Sequence, residues 1–444
     1  MKKRVLGLIL ATVMVATALV GCGGAKGSAG TATDGGKVLN IYCWNEEFQS
    51  RVTDHYPGYV KVDATTGKIG DVTVVWNITP NAENAYQNNL DEALTNQATA
   101  AADEKVDIFL IEADYALKYV DTPYALPVET LGIKASDLKD QYKYTQDIVT
   151  DGNGVLKGVS WQGCPGAMFY NREVAKEVLG TDDPAEVQKF VASWDKFTET
   201  AATMQAAGYN MVSSVMDTYR VYSNNVSSKW VVNDKIVIDD NIKKWVEDSK
   251  KMVDAGQTKT HTLWSTEWSE GFYPAGKVFC YFGPAWLINF SMAADQEGSI
   301  GYNGDWGCTE GPQGFFWGGT WICAADGTDN SALVKDIMLQ MTANAELMKG
   351  IVVKDDDFVN NKPAMEAMAT SDYTSKILGG QNPLPIYAAG AGSIDLSNLS
   401  AYDQGCNEQF QNAMKQYFDG VATYEEALEL FYKAVVEKYP NLSY

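Results

Sequence analysis

The chain has 444 residues, of which 45% are hydrophobic and 21% charged, and its formal net charge at pH 7 is −22. This length exceeds what one hydrophobic core normally organises, so we expect two domains. The acidic charge, with no cluster of Lys or Arg to offset it, excludes nucleic acid as a partner because a polyanion would be repelled.

The N-terminus has the pattern of a secretion signal. A positive start at residues 2–4 precedes an apolar run over Val5–Val20, which is too short to span a membrane. The run ends in Leu19-Val20-Gly21-Cys22, which is similar to the lipobox of bacterial lipoproteins, where the cysteine is acylated. The sequence therefore predicts a signal peptide over 1–21, lipidation at Cys22 and a flexible Gly-, Ala- and Ser-rich tether over 22–37. An ordinary signal cleaved later, with Cys22 incidental, is the alternative.

Three β-rich runs alternate with helical stretches in the first part of the body. They are Leu39–Trp44, Val72–Trp76 and Val106–Ile111, the last of which ends at Glu112. This alternation predicts an α/β fold with a mostly parallel sheet and crossover helices. Ligands bind such sheets beyond the carboxyl ends of the strands, where Trp44, Trp76 and Glu112 lie.

A second α/β set begins near Gly158. Asp183 and Pro184 have the pattern of a helix cap and a first helical residue, and a further helix is predicted from Trp194 towards Gly208. Another strand is predicted over 278–282, and a final capped helix after Thr423.

Several chemistries lack their motifs. The two histidines are isolated, and there is neither a GxSxG elbow nor a GxxxxGK[ST] phosphate loop, so we expect no metal and no cofactor. Asp355–Asp357 lacks the spacing of a calcium loop and is predicted to be a solvated turn. With 57 acids, counting leaves open a catalytic carboxylate pair, so a secreted glycoside hydrolase stays as the enzyme alternative.

Six cysteines follow Cys22, at positions 43, 164, 280, 308, 323 and 406. An even number in an exported chain allows up to three disulfides. Mostly free, buried thiols are favoured because a chain of this size does not need covalent cross-links.

Four segments together carry a resemblance to a known family. They are LNIYCWNEEF, VDIFLIEADYALKYV, GVSWQGCPGAMFYNREVAKEVLG and FFWGGTWICAAD. The lipobox and the segments SWDKFTETAATM, AGKVFCYFGPAWL and SALVKDIMLQMTANAELMKG add to it. In order and spacing they resemble the extracellular solute-binding proteins of bacterial ABC importers, specifically the carbohydrate-binding family 1 group. The resemblance implies a two-lobe, type II periplasmic-binding-protein-like α/β fold with a hinge and a ligand cleft between the lobes.

The resemblance also implies lobe boundaries. The N-terminal lobe takes 38–160 plus 319–350, and the C-terminal lobe takes 161–318 plus 351–444. Crossings between the lobes then fall near Trp161–Pro165, Phe316–Thr320 and Gly350. Gly163, Pro165, Gly318 and Gly319 suit a hinge.

The residues themselves are compatible with a sugar ligand. A pyranose has an apolar C–H face and a hydroxyl edge, so its receptor needs flat aromatic rings beside planar hydrogen-bonding groups. Tryptophan next to a carboxylate or carboxamide recurs at strand ends and crossings, and the resemblance adds residues of the second lobe. The predicted site residues are Trp44, Asn45, Glu46, Trp76, Glu112, Asp114, Trp161, Gln162, Asp217, Tyr219, Arg220, Trp286, Trp317, Gly318, Trp321 and Tyr402.

Other tryptophans are not predicted to contact ligand. Trp194, Trp230 and Trp245 lie in helical patterns and are expected in the core. Trp264 and Trp268 are left out because they could line one helix face.

The resemblance implies a substrate-binding lipoprotein and not an enzyme. It would capture a sugar, an oligosaccharide, and deliver it to the permease subunits of an ABC importer. As a monomer it would be held by its lipid anchor on the extracellular face of the cytoplasmic membrane. A polyamine or other cationic solute is the alternative ligand, because Glu46, Glu112 and Asp114 could hold ammonium groups.

Overall fold

The computed structural model describes residues 30–444, so the predicted signal peptide and Cys22 lie outside the described residues. The strands are β1 (Val38–Cys43), β2 (Tyr59–Lys61), β3 (Thr66–Ile69), β4 (Val72–Ile78), β5 (Val106–Glu112), β6 (Gly158–Ser160), β7 (Ala167–Asn171), β8 (Asn210–Val212), β9 (Val231–Val232), β10 (Lys235–Ile236), β11 (Val278–Gly283), β12 (Trp306–Thr309) and β13 (Thr320–Ala324).

Short loops and 3-10 turns join the strands to helices. The helices are α1 (Glu47–His55), α2 (Ala85–Asn96), α3 (Ala116–Val120), α4 (Lys143–Asp147), α5 (Arg172–Leu179), α6 (Pro184–Val191), α7 (Trp194–Ala206), α8 (Tyr219–Ser223), α9 (Asp240–Asp254), α10 (Thr266–Ser269), α11 (Ala285–Phe290), α12 (Ile300–Asn303), α13 (Ser331–Ala343), α14 (Ala345–Asp355), α15 (Lys362–Ala369), α16 (Leu384–Ala391), α17 (Asp403–Phe418) and α18 (Tyr424–Lys438).

The larger of two main sheets has the strand order β2-β3-β4-β1-β5-β13-β6. Only β4, β1 and β5 are parallel neighbours, while β2, β3, β13 and β6 pair antiparallel, so the sheet is mixed and not mostly parallel. The connections between β2, β3 and β4 are too short to contain crossover helices, so these strands pair antiparallel. We call this sheet and the helices packed on it the large-sheet lobe.

The smaller sheet has the order β12-β7-β11-β8 and lies in what we call the small-sheet lobe. Strand β7 pairs antiparallel with both β11 and β12, whereas β11 and β8 are parallel. Helices α9, α17 and α18 pack into a separate core of this lobe, where Trp245 is buried as expected and Trp230 nearly so. Trp194 is half-buried and stacks on Tyr222 with ring centroids 4.2 Å apart.

The predicted helix caps are confirmed. The Asp183 side chain accepts hydrogen bonds from Ala185 N and Glu186 N at the start of α6, where Pro184 is the first helical residue. Thr423 and Glu426 form a reciprocal capping box at the start of α18. These local signals depend on a few neighbouring residues, which is why the sequence alone identifies them.

Part of the predicted tether is attached to the folded body. Thr33 N donates to Thr328 O at 3.0 Å, and Gly36 N donates to Asp329 O at 2.9 Å. Asp34 also accepts from Ala332 N at 2.7 Å. A flexible tether therefore does not extend to residue 37, because its last residues pair with the loop before α13.

Three chain segments join the lobes, and they lie side by side. They are 161–166, 310–319 and 356–361, which connect β6 to β7, β12 to β13 and α14 to α15. Gly163 N donates to Phe358 O at 2.9 Å, and Gly166 N donates to Phe315 O at 2.7 Å. The first crossing is thus the central one and is hydrogen-bonded to both of the others.

The third crossing begins later than the sequence suggested. Gly350 lies inside α14, which runs unbroken to Asp355 and packs against α1 of the large-sheet lobe. Arg51 of α1 also pairs with Asp355 at 2.8 Å. Residues 351–355 therefore belong with the large-sheet lobe, and the chain leaves it at Asp356.

Gly318 and Gly319 close the second crossing with φ of +71° and +94°, a backbone region that favours glycine. A Cβ on Gly318 would lie 3.2 Å from Trp286. Both glycines are therefore required where the chain passes the aromatic side chains described below.

All six cysteines of residues 30–444 are buried and free. In the same range no helix has both the length and the apolar composition that a bilayer crossing needs.

Candidate functional site

A cleft lies beside the crossings and is lined by residues of both lobes. One cavity, of about 390 Å³, is rich in indole rings, and we call it the aromatic cavity. Its lining residues are Trp44, Asn45, Glu47, Glu112, Gln162, Trp264, Trp286, Ser291, Trp317, Gly318, Gly319 and Thr320.

A second cavity, of about 280 Å³, is more polar, and we call it the polar cavity. It shares Trp44, Glu112, Trp264 and Trp317 with the aromatic cavity, so the two are parts of one cleft. The residues that only the polar cavity has are Asn81, Asp114, Tyr115, Arg220, Leu263, Gln404, Glu408 and Gln411.

Three tryptophans of the cleft pack against one another. The ring centroids of Trp317 lie 5.3 Å from those of Trp286 and 5.8 Å from those of Trp264. Trp44, on the large-sheet side, is held edge-on against Tyr115 at 6.2 Å. Mutual packing leaves these rings few alternative rotamers, so they form a preset apolar wall on both sides of the cleft.

Trp264 differs from the other tryptophans of the cleft in its exposure and in its backbone conformation. Its side chain is 53% exposed, and its φ of +71° is uncommon for any residue other than glycine. Strain of this kind persists where the surrounding structure imposes it, often at ligand sites. Sequence reasoning left Trp264 out, although an indole in a polar loop just before the Ser265 helix cap was an available signal.

Glu112 ends β5 and caps the short 3-10 turn that follows, where Glu112 Oε2 accepts from Asp114 N at 2.8 Å. Burial and the neighbouring Asp114 carboxylate raise the pKa of Glu112 to about 8, although Arg220 opposes the shift. The cleft therefore contains a carboxyl group that holds its proton near neutral pH.

An ion pair joins the two lobes across the cleft. Asp114 follows β5 of the large-sheet lobe, and Arg220 lies in α8 of the small-sheet lobe. Arg220 donates to both carboxylate oxygens of Asp114, with Nη1 to Oδ1 at 2.7 Å. The guanidinium also lies 5.9 Å from the ring centroid of Trp317. This bidentate geometry fixes the separation of the lobes on this side of the cleft.

Replacing Arg220 with glutamine should weaken the contact that holds the two lobes together across the cleft. The two side chains are 17% and 21% exposed, so we expect the pair to contribute about 1 to 2 kcal/mol, between the values of surface and buried pairs. Small-angle scattering without ligand should show a larger radius of gyration. Lys118→Gln is the control because it breaks an exposed pair with Asp91 within one lobe. Equal scattering from the Arg220 variant and the unaltered protein would contradict a role for this pair.

Glu47 faces the aromatic cavity, whereas the predicted Glu46 is exposed at the start of α1 and does not line the cleft. Neighbouring residues of a helix point about 100° apart, so only one of the two can face the ligand space. Glu47 Oε1 accepts from Gln162 Nε2 at 2.8 Å, and Arg51 Nη2 lies 3.7 Å away. Gln162 thereby connects the first crossing to the cleft.

Asp355 and Asp357 complete a buried charge cluster with Glu47 and Arg51, so this stretch is not the solvated turn that the sequence suggested. Burial raises the pKa of Glu47 to about 7, Arg51 lowers it, and the Asp357 carboxylate raises it further. His55 Nε2 lies 2.9 Å from Asp355. The cluster puts excess negative charge beneath the cleft.

The raised carboxyl pKa values make stability depend on pH. An unfolded glutamate ionises near its ordinary value of 4.5, while folded Glu112 holds its proton up to about 8, facing Asp114, Arg220 and Glu408. The folded state therefore binds more protons in this window, and its free energy of unfolding falls as pH rises through it.

Urea denaturation at a series of pH values checks this expectation. Glu112→Gln should make the fall between about 4.5 and 8 less steep, while the exposed Glu129→Gln should not. Part of the fall should remain, because the pKa values of Glu47 and Asp217 are also raised, to about 7. An unaltered slope in the Glu112 variant would show that this carboxyl has an ordinary pKa.

Three predicted tryptophans lie in the interior and not on the cleft wall. Trp76 points into the core from β4, Trp161 stacks on Phe48 at 5.0 Å, and Trp321 donates to Thr145 O at 2.7 Å. Side chains alternate between the faces of a strand, so a position at or near a strand end does not decide which way the ring points.

Asp217, Tyr219 and Tyr402 also lie outside the two cavities. The Asp217 carboxyl accepts from Trp268 Nε1 at 2.7 Å and from Ser214 N at 2.8 Å, and burial raises its pKa to about 7. Tyr219 is buried and hydrogen-bonded to Asn407, and Tyr402 packs on Tyr439. Their roles in the structure are capping and packing.

The structure brings nine of the predicted residues to the cleft, namely Trp44, Asn45, Glu112, Asp114, Gln162, Arg220, Trp286, Trp317 and Gly318. Sequence reasoning missed several lining residues because they lie in loops or on helix faces without a local motif. These are Glu47, Asn81, Tyr115, Leu263, Trp264, Ser291, Gln404, Glu408 and Gln411. Within residues 30–444, no group of three or more His, Cys, Asp or Glu is arranged to hold a metal ion.

Comparison with known proteins identifies the family that has this architecture. The family model for bacterial extracellular solute-binding proteins matches residues 50–376, most of the chain. A crystal structure of an extracellular solute-binding protein of family 1 aligns with a TM-score of 0.71 and 18% identity, covering 90% of this chain and 99% of that one.

Two similar structures contain ligands. An ABC transporter associated binding protein from B. animalis subsp. lactis, in complex with beta-1,6-galactobiose, has a TM-score of 0.66, 18% identity and coverage of 92% and 99%. An ABC substrate-binding protein from Listeria monocytogenes, in complex with cycloalternan, has a TM-score of 0.64, 13% identity and coverage of 92% and 99%. No curated protein matches this chain.

The expected two-lobe α/β fold with an interlobe cleft is confirmed by these alignments. The family match spans all three crossings and includes parts of both lobes. The chain belongs to the family of bacterial extracellular solute-binding proteins.

Proposed function

We propose that this protein captures a sugar, specifically an oligosaccharide, outside the cell and passes it unaltered to the permease of an ABC importer. The observation that carries the proposal is the cleft itself, in which indole rings from both lobes lie beside amide and carboxyl groups. Trp264, Trp286 and Trp317 offer apolar surface to the C–H faces of sugar rings. Asn45 and Gln162 offer planar hydrogen-bonding groups to hydroxyls.

The size of the cleft supports an oligosaccharide. Cavities of about 390 and 280 Å³ adjoin through their shared wall, and ligand pockets generally fall between about 300 and 1,000 Å³. The molecules bound in the two similar structures above are themselves sugars of two or more rings by name, galactobiose and cycloalternan.

Movement of the two lobes about a hinge would allow the protein to bind the ligand and to release it to the permease. A ligand that contacts both lobes stabilises the arrangement in which the cleft is closed, because only that arrangement satisfies both sets of contacts. Movement is accommodated at the three crossings, where Gly318 and Gly319 allow changes in φ and ψ that other residues resist.

The N-terminal pattern supports anchoring beside the importer. Acylation at Cys22 would hold a monomeric receptor on the outer face of the cytoplasmic membrane. An anchor at Cys22 would keep the receptor near the permease and raise its effective concentration there.

A thermal-shift screen of monosaccharides, oligosaccharides and spermidine tests the proposal. A ligand at 100 times its Kd should stabilise the protein by about 2.7 kcal/mol. Mass spectrometry of ligand that co-purifies with the protein should identify a sugar. Stabilisation by spermidine and by no sugar would favour the polyamine alternative. New reducing ends after incubation with oligosaccharides would favour a glycoside hydrolase.

A further inference from the structure

The ionisable side chains that line the cleft are unbalanced in charge. Among the described residues of the two cavities, four are acidic, namely Glu47, Glu112, Asp114 and Glu408, and one is basic, namely Arg220. Arg220 is already engaged by both oxygens of Asp114. Glu47 lies 3.7 Å from Arg51 and Glu408 lies 3.7 Å from Lys438, two cations that do not line the cavities. Within residues 30–444, Glu112 is therefore the acid of the cleft wall that has no cation within salt-bridge distance.

Among these four acids, Glu112 is the one that lines both cavities. The wall that the two cavities share consists of Glu112 and the three indole rings of Trp44, Trp264 and Trp317. The side chain of Glu112 accepts one hydrogen bond within residues 30–444, from Asp114 N. Its other carboxyl oxygen has no protein donor there.

Tyr115 gives a second and independent indication of a missing partner. This residue is 5% exposed and lines the polar cavity. Its hydroxyl group is buried and has no hydrogen-bond partner among the described residues. A buried hydroxyl without a partner destabilises the protein, so a ligand atom that hydrogen-bonds to it would be favoured.

A carboxyl group beside several indole faces is suited to a cation. Aromatic faces attract ammonium groups through the ring quadrupole, and a carboxylate adds a charge-assisted hydrogen bond. A neutral hydroxyl would satisfy the hydrogen bond but would gain neither the charge-assisted interaction with the carboxylate nor the attraction of the ring faces.

We propose that the captured sugar is an amino sugar, whose ammonium group binds at the shared wall formed by Glu112, Trp44, Trp264 and Trp317. The inference rests on the proposed function and specifies its ligand. The ring C–H groups and remaining hydroxyls of such a sugar use the rest of the cleft, including Trp286 and Gln162.

Binding of an ammonium group at this wall is coupled to proton release. The pKa of Glu112 is raised to about 8 by burial and by Asp114, with Arg220 opposing and Glu408 adding to the shift. The pKa of Glu47 is raised to about 7. A bound cation favours the ionised carboxylates, so protons leave as the ligand enters.

Titration calorimetry with matched sugars tests the inference. Glucosamine, galactosamine and their β-linked dimers are compared with the same sugars bearing hydroxyl or N-acetyl at C2, at about pH 6, below the pKa of both carboxyls. The sugar that has an ammonium group at C2 should bind at least about tenfold more tightly than the matching sugars with hydroxyl or N-acetyl there. The observed heat should also differ between buffers of different ionisation enthalpy, as proton release requires.

Glu112→Gln should remove most of this preference while retaining an acceptor for Asp114 N. The exposed Glu129→Gln is the control and should retain the preference in full. Melting temperatures of both variants establish that each is folded, and Glu47→Gln provides a second variant of the cleft. A preference that survives in Glu112→Gln would overturn the assignment of the ammonium site.

The outcomes separate this inference from the proposed function. Equal or tighter binding of hydroxyl or N-acetyl sugars would overturn the amino-sugar inference and leave sugar capture standing. Binding of spermidine with no binding of any sugar would overturn both. Tighter binding of an amino sugar without proton release would show that Glu112 does not receive the cation.

Discussion

Replacing Trp161 with alanine is expected to lower the free energy of unfolding by about 3–5 kcal/mol, as for other large aromatic residues removed from a core. The Trp161 side chain is fully buried and stacks on Phe48 with ring centroids 5.0 Å apart. Its carbonyl accepts from Asn360 N at 2.7 Å, so the cavity would open where the first and third crossings meet.

Urea denaturation of Trp161→Ala and Trp161→Phe measures this effect. The indole Nε1 has no hydrogen-bond partner within residues 30–444, so phenylalanine removes volume without leaving a polar group unpaired. The phenylalanine variant should therefore be clearly more stable than the alanine variant. Undiminished stability with weakened sugar binding would instead place the ring on the ligand, as the sequence by itself suggested.

Replacing Trp264 with glycine is expected to weaken sugar binding by at least about tenfold without lowering stability. The half-exposed indole forms part of both cavities, so its removal takes away a platform for the ligand. At φ of +71°, glycine relieves backbone strain, so the melting temperature should stay the same or rise.

Lys277→Gly is the matched control for Trp264→Gly. Lys277 also has a positive φ, +53°, and it is exposed outside the cleft. Its replacement should give the same backbone benefit and leave affinity unchanged. Calorimetry with the best sugar from the thermal-shift screen provides the affinities. If affinity falls equally in both variants, the effect of Trp264 comes from loop geometry and not from its ring.

Local features of the fold were predictable from the sequence. The strands β1, β4, β5 and β11 match apolar β-rich runs, and α6 and α18 begin at the predicted caps. These elements depend on residues close together in the chain, so their pattern is legible without tertiary information. Long-range pairing is different, since the antiparallel placement of β13 and β6 depends on where the crossings return the chain.

The direction of side chains limited the prediction of the site. Trp44 and Trp161 each follow a strand and precede a polar residue, yet the first lines the cleft and the second lies in the core. Glu46 and Glu47 are neighbours, and only Glu47 faces the cavity. Strand alternation and helix rotation change direction at every residue, so a shift of one position reverses the assignment.

The sequence by itself determined the class of fold, the family resemblance and the kind of chemistry in the cleft, because residue types and their order suffice for these. Only the tertiary structure decided which indoles and carboxyls meet there, and it brought in Trp264, Tyr115 and Glu408 from separate parts of the chain. The physical reason is that a cleft between two lobes is built from long-range contacts made by three crossings, which no short segment encodes.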